Sequence, residues 1–394
     1  MFSSRVTSNL TPNRLARAIA DRRTAGLPIV DLTESNPTRA GFEYPPDLLE
    51  PLAAARGLIY EPRPLGLSCA REAVAADYSR QGVDVAADRI ALTTSTSEAY
   101  SQLFKLLADP GDEVLIPRPS YPLFDHLSRL DGVVARPYDL EYHASWSIDF
   151  GSLDAALTPR TRAVLVVSPN NPTGSFLTRD EADHLAAVGA RHGFAVIADE
   201  VFADYELTPG ASRTAGRFVS RSDVLAFSLG GLSKSVGLPQ VKLGWIAASG
   251  PAEAVAAALG RLELVCDTYL SVSTPVQRAA AELLARGTLV RAQIQRRVSA
   301  NYRRLAASAA AAPSCRVLRA DGGWYGVVQV PSLRPEEDLV LDLLDSDGVL
   351  THPGYFYDFP RESYVVVSLL VPEPAFAAAI ARLFRHFDCT VGAS

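Results

Sequence analysis

The chain lacks any run approaching the roughly 18 apolar residues that span a bilayer as a helix. Its start, Met1 to Leu10, is polar, with one Arg and no apolar core. Neither a membrane anchor nor a secretory signal is expected. The alanine-rich stretches Ala252–Ala258 and Ala306–Ala312 are short and interrupted or bounded by breakers, which suits helices packed against protein. Cysteine is scarce and scattered: Cys69, Cys266, Cys315 and Cys389 form no CxxC pair, and no histidines cluster near them at zinc spacing. They read as reduced thiols of a cytoplasmic protein, with no metal site. An excess of positive charge is missing too. With Lys+Arg at 38 and Asp+Glu at 44, the formal charge is -6, which argues against nucleic acid as the main partner. No repeat, low-complexity tract or long Gly/Ser linker appears.

What is present is the composition of a globular protein with a substantial core, 48% hydrophobic and 21% charged over 394 residues. That length allows one very large domain or two to three ordinary ones. The middle of the chain alternates short apolar runs with helical stretches. Asp88–Thr93 reads as a strand, then a helix runs through Glu98–Leu107. Asp109–Asp112 is a turn, and Glu113–Pro117 the next strand. Thr161–Ser168, Phe194–Ala198 and Val224–Phe227 are further strands. Their continuous apolar character predicts an α/β fold with a mostly parallel sheet covered on both faces by helices. From about Pro275 a long charged helix is expected, Gln277 to about Ala311, with Gly287 as a candidate break. Strands Val327–Val330 and Tyr364–Ser368 and a final helix follow. The predicted division is a large domain over 46–275 and a smaller α+β domain from 1–45 and 276–394.

Sheets of this kind hold ligands at the carboxyl ends of their strands, and the notable residues lie there. Ser168-Pro-Asn-Asn-Pro-Thr-Gly174 follows one strand, Asp199 another, and Ser233-Lys234 a third. Singly, each has an ordinary reading: a turn, a helix cap, a surface lysine. Order and spacing make them informative. Tyr60 with Gly66 and Arg71, Ile90–Ala99, Pro110–Val114 with Pro119–Pro122, Ser168–Gly174, Ala198–Val201 and Leu232–Gly237 stand in one sequence of blocks. Together they resemble the class I/II aminotransferases, fold-type-I enzymes dependent on pyridoxal 5'-phosphate, over nearly the whole chain.

The resemblance implies roles. Lys234 would carry the cofactor as a Schiff base and then shuttle the substrate's α-proton, jobs that suit a lysine of lowered pKa. Asp199 would pair with the pyridinium nitrogen, Asn171 would donate to the ring's phenolic oxygen, and Tyr121 would stack on the ring. Ser95, Thr96 and Ser97, at the start of a helix, would hold the phosphate; as plain N-caps they would be equally well chosen. Tyr60 resembles a tyrosine that reaches the phosphate of the neighbouring subunit, which implies a homodimer with shared active sites.

Four positions depart from the family pattern. Phe202 stands where a tyrosine usually donates to the phenolic oxygen, a loss of about 1 kcal/mol. Gly231 replaces a hydroxyl, and Lys242 an arginine, both on the phosphate; a lysine binds there as a point charge without the bidentate fork. Val366, two residues before Ser368, occupies the place of the arginine that clamps the substrate α-carboxylate. Arg361, Arg39 and Asn36 are the substitutes considered, though Asn36 before Pro37 also reads as an Asx turn.

The expected activity is transfer of an amino group between an amino acid or amine and a 2-oxo acid or other carbonyl acceptor. A lyase or cyclase acting by elimination would use the same Lys, Asp and Asn. A non-catalytic ligand-sensing domain is the third reading, against which stand the intact Lys234 and the lack of a DNA-binding region.

Overall fold

In this computed structural model residues 2–208, 215–332, 334–361 and 363–392 are described. The strands in chain order are β1 (Val30–Asp31), β2 (Ile90–Thr93), β3 (Glu113–Arg118), β4 (Val134–Tyr142), β5 (Trp146–Ile148), β6 (Thr161–Val167), β7 (Ala195–Asp199) and β8 (Ala226–Gly231). They continue with β9 (Gly244–Ser249), β10 (Arg316–Val317), β11 (Tyr325–Gln329), β12 (Val349–Leu350), β13 (His352–Pro353) and β14 (Tyr364–Ser368). The helices are α1 (Arg14–Thr24), α2 (Ser68–Arg80), α3 (Thr96–Leu107), α4 (Phe124–Asp131), α5 (Phe150–Ala156) and α6 (Arg179–His192). After them come α7 (Leu232–Ser235), α8 (Ala252–Tyr269), α9 (Thr274–Arg286), α10 (Thr288–Ala309), α11 (Glu336–Asp347) and α12 (Glu373–Gly392).

A large sheet runs in the order β2-β9-β8-β7-β6-β3-β4-β5. The stretch from β8 through β7, β6 and β3 to β4 is parallel; β9 is antiparallel to both neighbours and β5 to β4. The strand residues explain the two-sided cover. Val164, Val166, Val196 and Ala198 point into one apolar core, while Ala163, Leu165, Ala195 and Ile197 point into a second. Successive side chains face opposite ways, and both ways are buried, so the strands carry no polar alternation. On the second face α3, α4 and α8 supply Leu103, Phe124 and Leu262.

Beyond the sheet the long C-terminal helix is broken at Gly287, the boundary between α9 and α10. α9 lies against α2, whereas α10 leads away and packs on α12. A four-stranded antiparallel sheet, β10-β11-β14-β13, forms the smaller body. There β1 pairs in parallel with β12, tying the N-terminal segment to the C-terminal one. Among the described residues no helix is long and apolar enough to cross a membrane, and none form a cluster able to hold a metal. Cys69, Cys266 and Cys315 are free thiols; the side chain of Cys389 lies outside the described residues.

Candidate active site

The carboxyl ends of β2, β6, β7 and β8 open on one cavity of about 300 Å³. β6 ends in the Ser168–Gly174 loop carrying Asn171, β7 ends on Asp199 itself, and β8 runs directly into the single turn α7 that bears Lys234. The loop is folded tightly: Gly174 has φ +72, and a Cβ there would meet Gly322 O and Ala320 Cβ at 2.6 Å. At the other wall Ser95 caps α3, accepting from Glu98 N at 3.2 Å, while Glu98 accepts from Thr94 N at 2.6 Å. Gly244 of β9 lies against this turn, where a Cβ would meet Ser95 C at 3.0 Å and Thr96 N at 3.2 Å.

Of the residues singled out by sequence, Ser95, Thr96, Ser97, Tyr121, Asn171, Asp199, Lys234 and Lys242 line this cavity together. The chain contains three lysines, and two of them are here. Tyr60, Asn36 and Arg361 are not among its lining residues. Tyr60 is 70% exposed in this single chain, in line with Leu58 and Ile59 at 86% and 71%. Asn36 spends its side-chain oxygen locally, accepting from Thr38 N at 3.0 Å and Thr38 Oγ1 at 2.8 Å, so it forms the Asx turn. Its neighbour Ser35 lines the cavity instead, beside Tyr325. Arg361 is exposed, close to Tyr364.

Desolvation dominates the electrostatics of the two ionisable groups at the centre. Burial pushes the Lys234 ammonium below its usual pKa, partly offset by the Asp199 charge. Its Nζ sits 5.1 Å from the Trp324 ring centroid and 5.8 Å from that of Phe202. Burial likewise lifts the Asp199 carboxyl, opposed by two donors: Tyr100 OH to Oδ2 at 2.7 Å and Val201 N to Oδ1 at 3.1 Å. Phe202 packs edge-on against Trp324, centroids 5.2 Å apart. Val366 is 0% exposed, in register between Val327 and His352.

Tyr100, Phe124, Ser35 and Tyr325 belong to the cavity but carried no sequence signal of it. Tyr100 reads as one more apolar-face residue of α3, and its partner is 99 positions away. Ser35 abuts the chosen Asn36, and only the turn decides which of them faces inward.

The cavity suits pyridoxal phosphate. The Asn171 side chain makes no hydrogen bond among the described residues, its acceptor Oδ1 being buried and unpaired, so its Nδ2 donors are left for an acceptor such as a ring oxygen. A buried carboxylate lifted by desolvation gains from a cationic ring nitrogen. The start of α3 offers backbone N–H groups and three hydroxyls to an anion, with Lys242 on the same wall.

Comparison with known proteins agrees. The sequence model of "Aminotransferase class I and II" matches residues 31–380. An alanine aminotransferase of Mycobacterium bovis is 29% identical over 376 residues, covering 90% of this chain and 84% of that protein. The aspartate/prephenate aminotransferase of Thermus thermophilus is 27% identical, covering 94% of each. Among solved structures, the alanine aminotransferase from Pyrococcus furiosus superposes with a TM-score of 0.87 over 98% of this chain and 99% of that one, at 22% identity. The chain is an aminotransferase and belongs to the class I and II family.

Proposed function

We propose that this enzyme is a pyridoxal-phosphate-dependent transaminase that moves an amino group from an amino acid or amine to a 2-oxo acid or other carbonyl acceptor. The observation that carries the reading is Lys234, its ammonium destabilised by desolvation, in one cavity with Asp199 and the unpartnered Asn171 amide. The relatives' names support transfer rather than elimination.

When bound, the cofactor supplies an aldehyde and an electron-accepting ring. Lys234 Nζ would hold the aldehyde carbon and, once displaced by the donor amine, carry the proton between the donor's α-carbon and the acceptor position. Burial favours its neutral amine, the form that does both. Asp199 would keep the ring nitrogen protonated, and Tyr100 and Val201 N hold that carboxylate in place. Asn171 would donate to the ring oxygen and Tyr121 would cover a ring face. Ser95, Thr96, Ser97 and Lys242 would hold the phosphate. The rings of Phe202 and Trp324 flank Nζ on its apolar side.

The assembly we propose is a homodimer in the cytoplasm. Support comes from the consecutive exposed side chains Leu58, Ile59 and Tyr60, which suit burial against a second copy, Tyr60 reaching that copy's phosphate.

A single-turnover experiment tests the reaction type. Enzyme loaded with pyridoxal phosphate and given a donor without an acceptor is expected to release one carbonyl product per site and stop with the cofactor aminated. Continued turnover without an acceptor would show elimination instead.

A further inference from the structure

Asp199 ends β7 and Lys234 sits on α7, which follows β8, yet the residue after each belongs to one chain of contacts. Glu200, which follows Asp199, accepts from Arg217 Nε at 3.0 Å. Arg217 Nη1 donates to Gln81 Oε1 at 2.8 Å, and Gln81 Nε2 donates to Asp77 Oδ2 at 3.1 Å. Asp77 Oδ1 accepts from Arg291 Nη2 at 3.2 Å, and Arg291 Nε donates to the carbonyl of Ser235, which follows Lys234, at 2.6 Å. A second donor, Tyr205 OH, reaches the Lys234 carbonyl itself at 2.5 Å.

These carbonyls end the one-turn helix α7 and lack the helical partners that a longer helix would give them. Side chains from elsewhere therefore fix the turn that carries Lys234. Glu200, Arg217, Asp77 and Arg291 are all buried. Arg80, bonded to Asp77 at 2.8 Å and Asp204 at 2.7 Å, joins the cluster, and Asp204 lies 3.4 Å from Arg291. Three acids thus face three arginines, so the cluster is neutral. Apolar packing fills a protein interior at least as stably as buried ion pairs do. What the ions add is direction: bonds at fixed angles to backbone atoms beside both reacting groups.

We infer that this network, from Glu200 through Arg217, Gln81, Asp77 and Arg291 to Ser235, is a positioning device that sets the Lys234 amine relative to the Asp199 carboxylate. It rests on the roles proposed above for those two residues. None of its members lines the cavity, so their effect passes through geometry. Displacing a reacting group by about 1 Å can cost about a hundredfold in rate.

Three variants test this in the cofactor-loaded enzyme. Gln81→Met cuts the bridge between Arg217 and Asp77 with an unbranched side chain of similar size. Tyr205→Phe removes only the hydroxyl on the Lys234 carbonyl, and Arg291→Gln removes the charge-paired link. The expected result is a kcat lower by about tenfold or more with KM little changed, since misplacement affects the reacting geometry more than binding. The pH midpoint of the Lys234-bound cofactor's visible band should move as well, and Arg291→Lys should recover part of the loss. Thermal unfolding is measured alongside; should Arg291→Gln fail to fold, the Gln81 and Tyr205 variants decide. Folded variants with wild-type kcat and an unmoved midpoint would overturn the inference. If the wild-type enzyme gives no cofactor adduct on Lys234 at all, the underlying assignment has failed instead.

Discussion

Tyr100, on the first turns of α3, donates its hydroxyl to Oδ2 of Asp199 at the end of β7, 2.7 Å away and sealed from water. The bond holds down a carboxyl that burial pushes up. Tyr100→Phe should therefore raise the Asp199 pKa further. In the role proposed for it Asp199 works ionised, so the acidic limb of the kcat profile should move to higher pH. A hydrogen bond to a charged group contributes about 1.5–3 kcal/mol, so kcat should fall by roughly ten- to a hundredfold. A pH profile superimposable on wild type would contradict this.

Asp199→Asn should keep its cofactor and lose most of its activity, because a neutral amide cannot keep the ring nitrogen protonated. Losing a preorganised charge partner costs about 3 kcal/mol or more, roughly a hundredfold or more in kcat. Cofactor content by absorbance and steady-state kcat check both halves. Near-normal kcat would place the nitrogen's partner elsewhere.

Val366 is an apolar, fully buried side chain where the family resemblance leads one to expect an arginine. An amino acid donor is thus expected to outperform its decarboxylated or amidated analogue by less than the tenfold that about 1.4 kcal/mol gives. The comparison is kcat/KM at subsaturating donor. A larger preference for the free acid would mean that another group holds the carboxylate, and single substitutions of Asn36, Arg39 and Arg361 would identify it.

Much of this site was legible because parallel strands buried on both faces leave unbroken apolar runs, and ligand residues follow such runs directly. Thr161–Val167 and Ala195–Asp199 are of this kind. β4 was hidden by Pro137 and by the charges of Arg136, Asp139 and Glu141, which its partly exposed position tolerates. β9 is a short apolar run close to the alanine-rich α8 and has no period of its own to separate it. The pairing of Tyr100 with Asp199 and the bond from Arg291 to the Ser235 carbonyl span 99 and 56 positions. No local pattern encodes such partners; only the folded sheet brings them together.

If Tyr60 serves the neighbouring active site, two defective chains should complement each other. Mixing Tyr60→Ala and Lys234→Ala subunits produces dimers in which one site has both defects and the other has neither. Activity should reappear in the mixture at a fraction of wild type, while each variant alone stays impaired. No recovery, with subunit exchange verified, would confine Tyr60 to its own chain.

We propose that Lys234 holds the cofactor, and the chain's three lysines, Lys105, Lys234 and Lys242, make this easy to check. The measurement is borohydride reduction of the enzyme loaded with pyridoxal phosphate, followed by peptide mapping of the trapped adduct. The label is expected on Lys234, and a folded Lys234→Ala protein should carry none and turn over no donor. A label on Lys105 or Lys242 in the wild-type enzyme, or an active Lys234→Ala protein with a trapped adduct, would contradict the account.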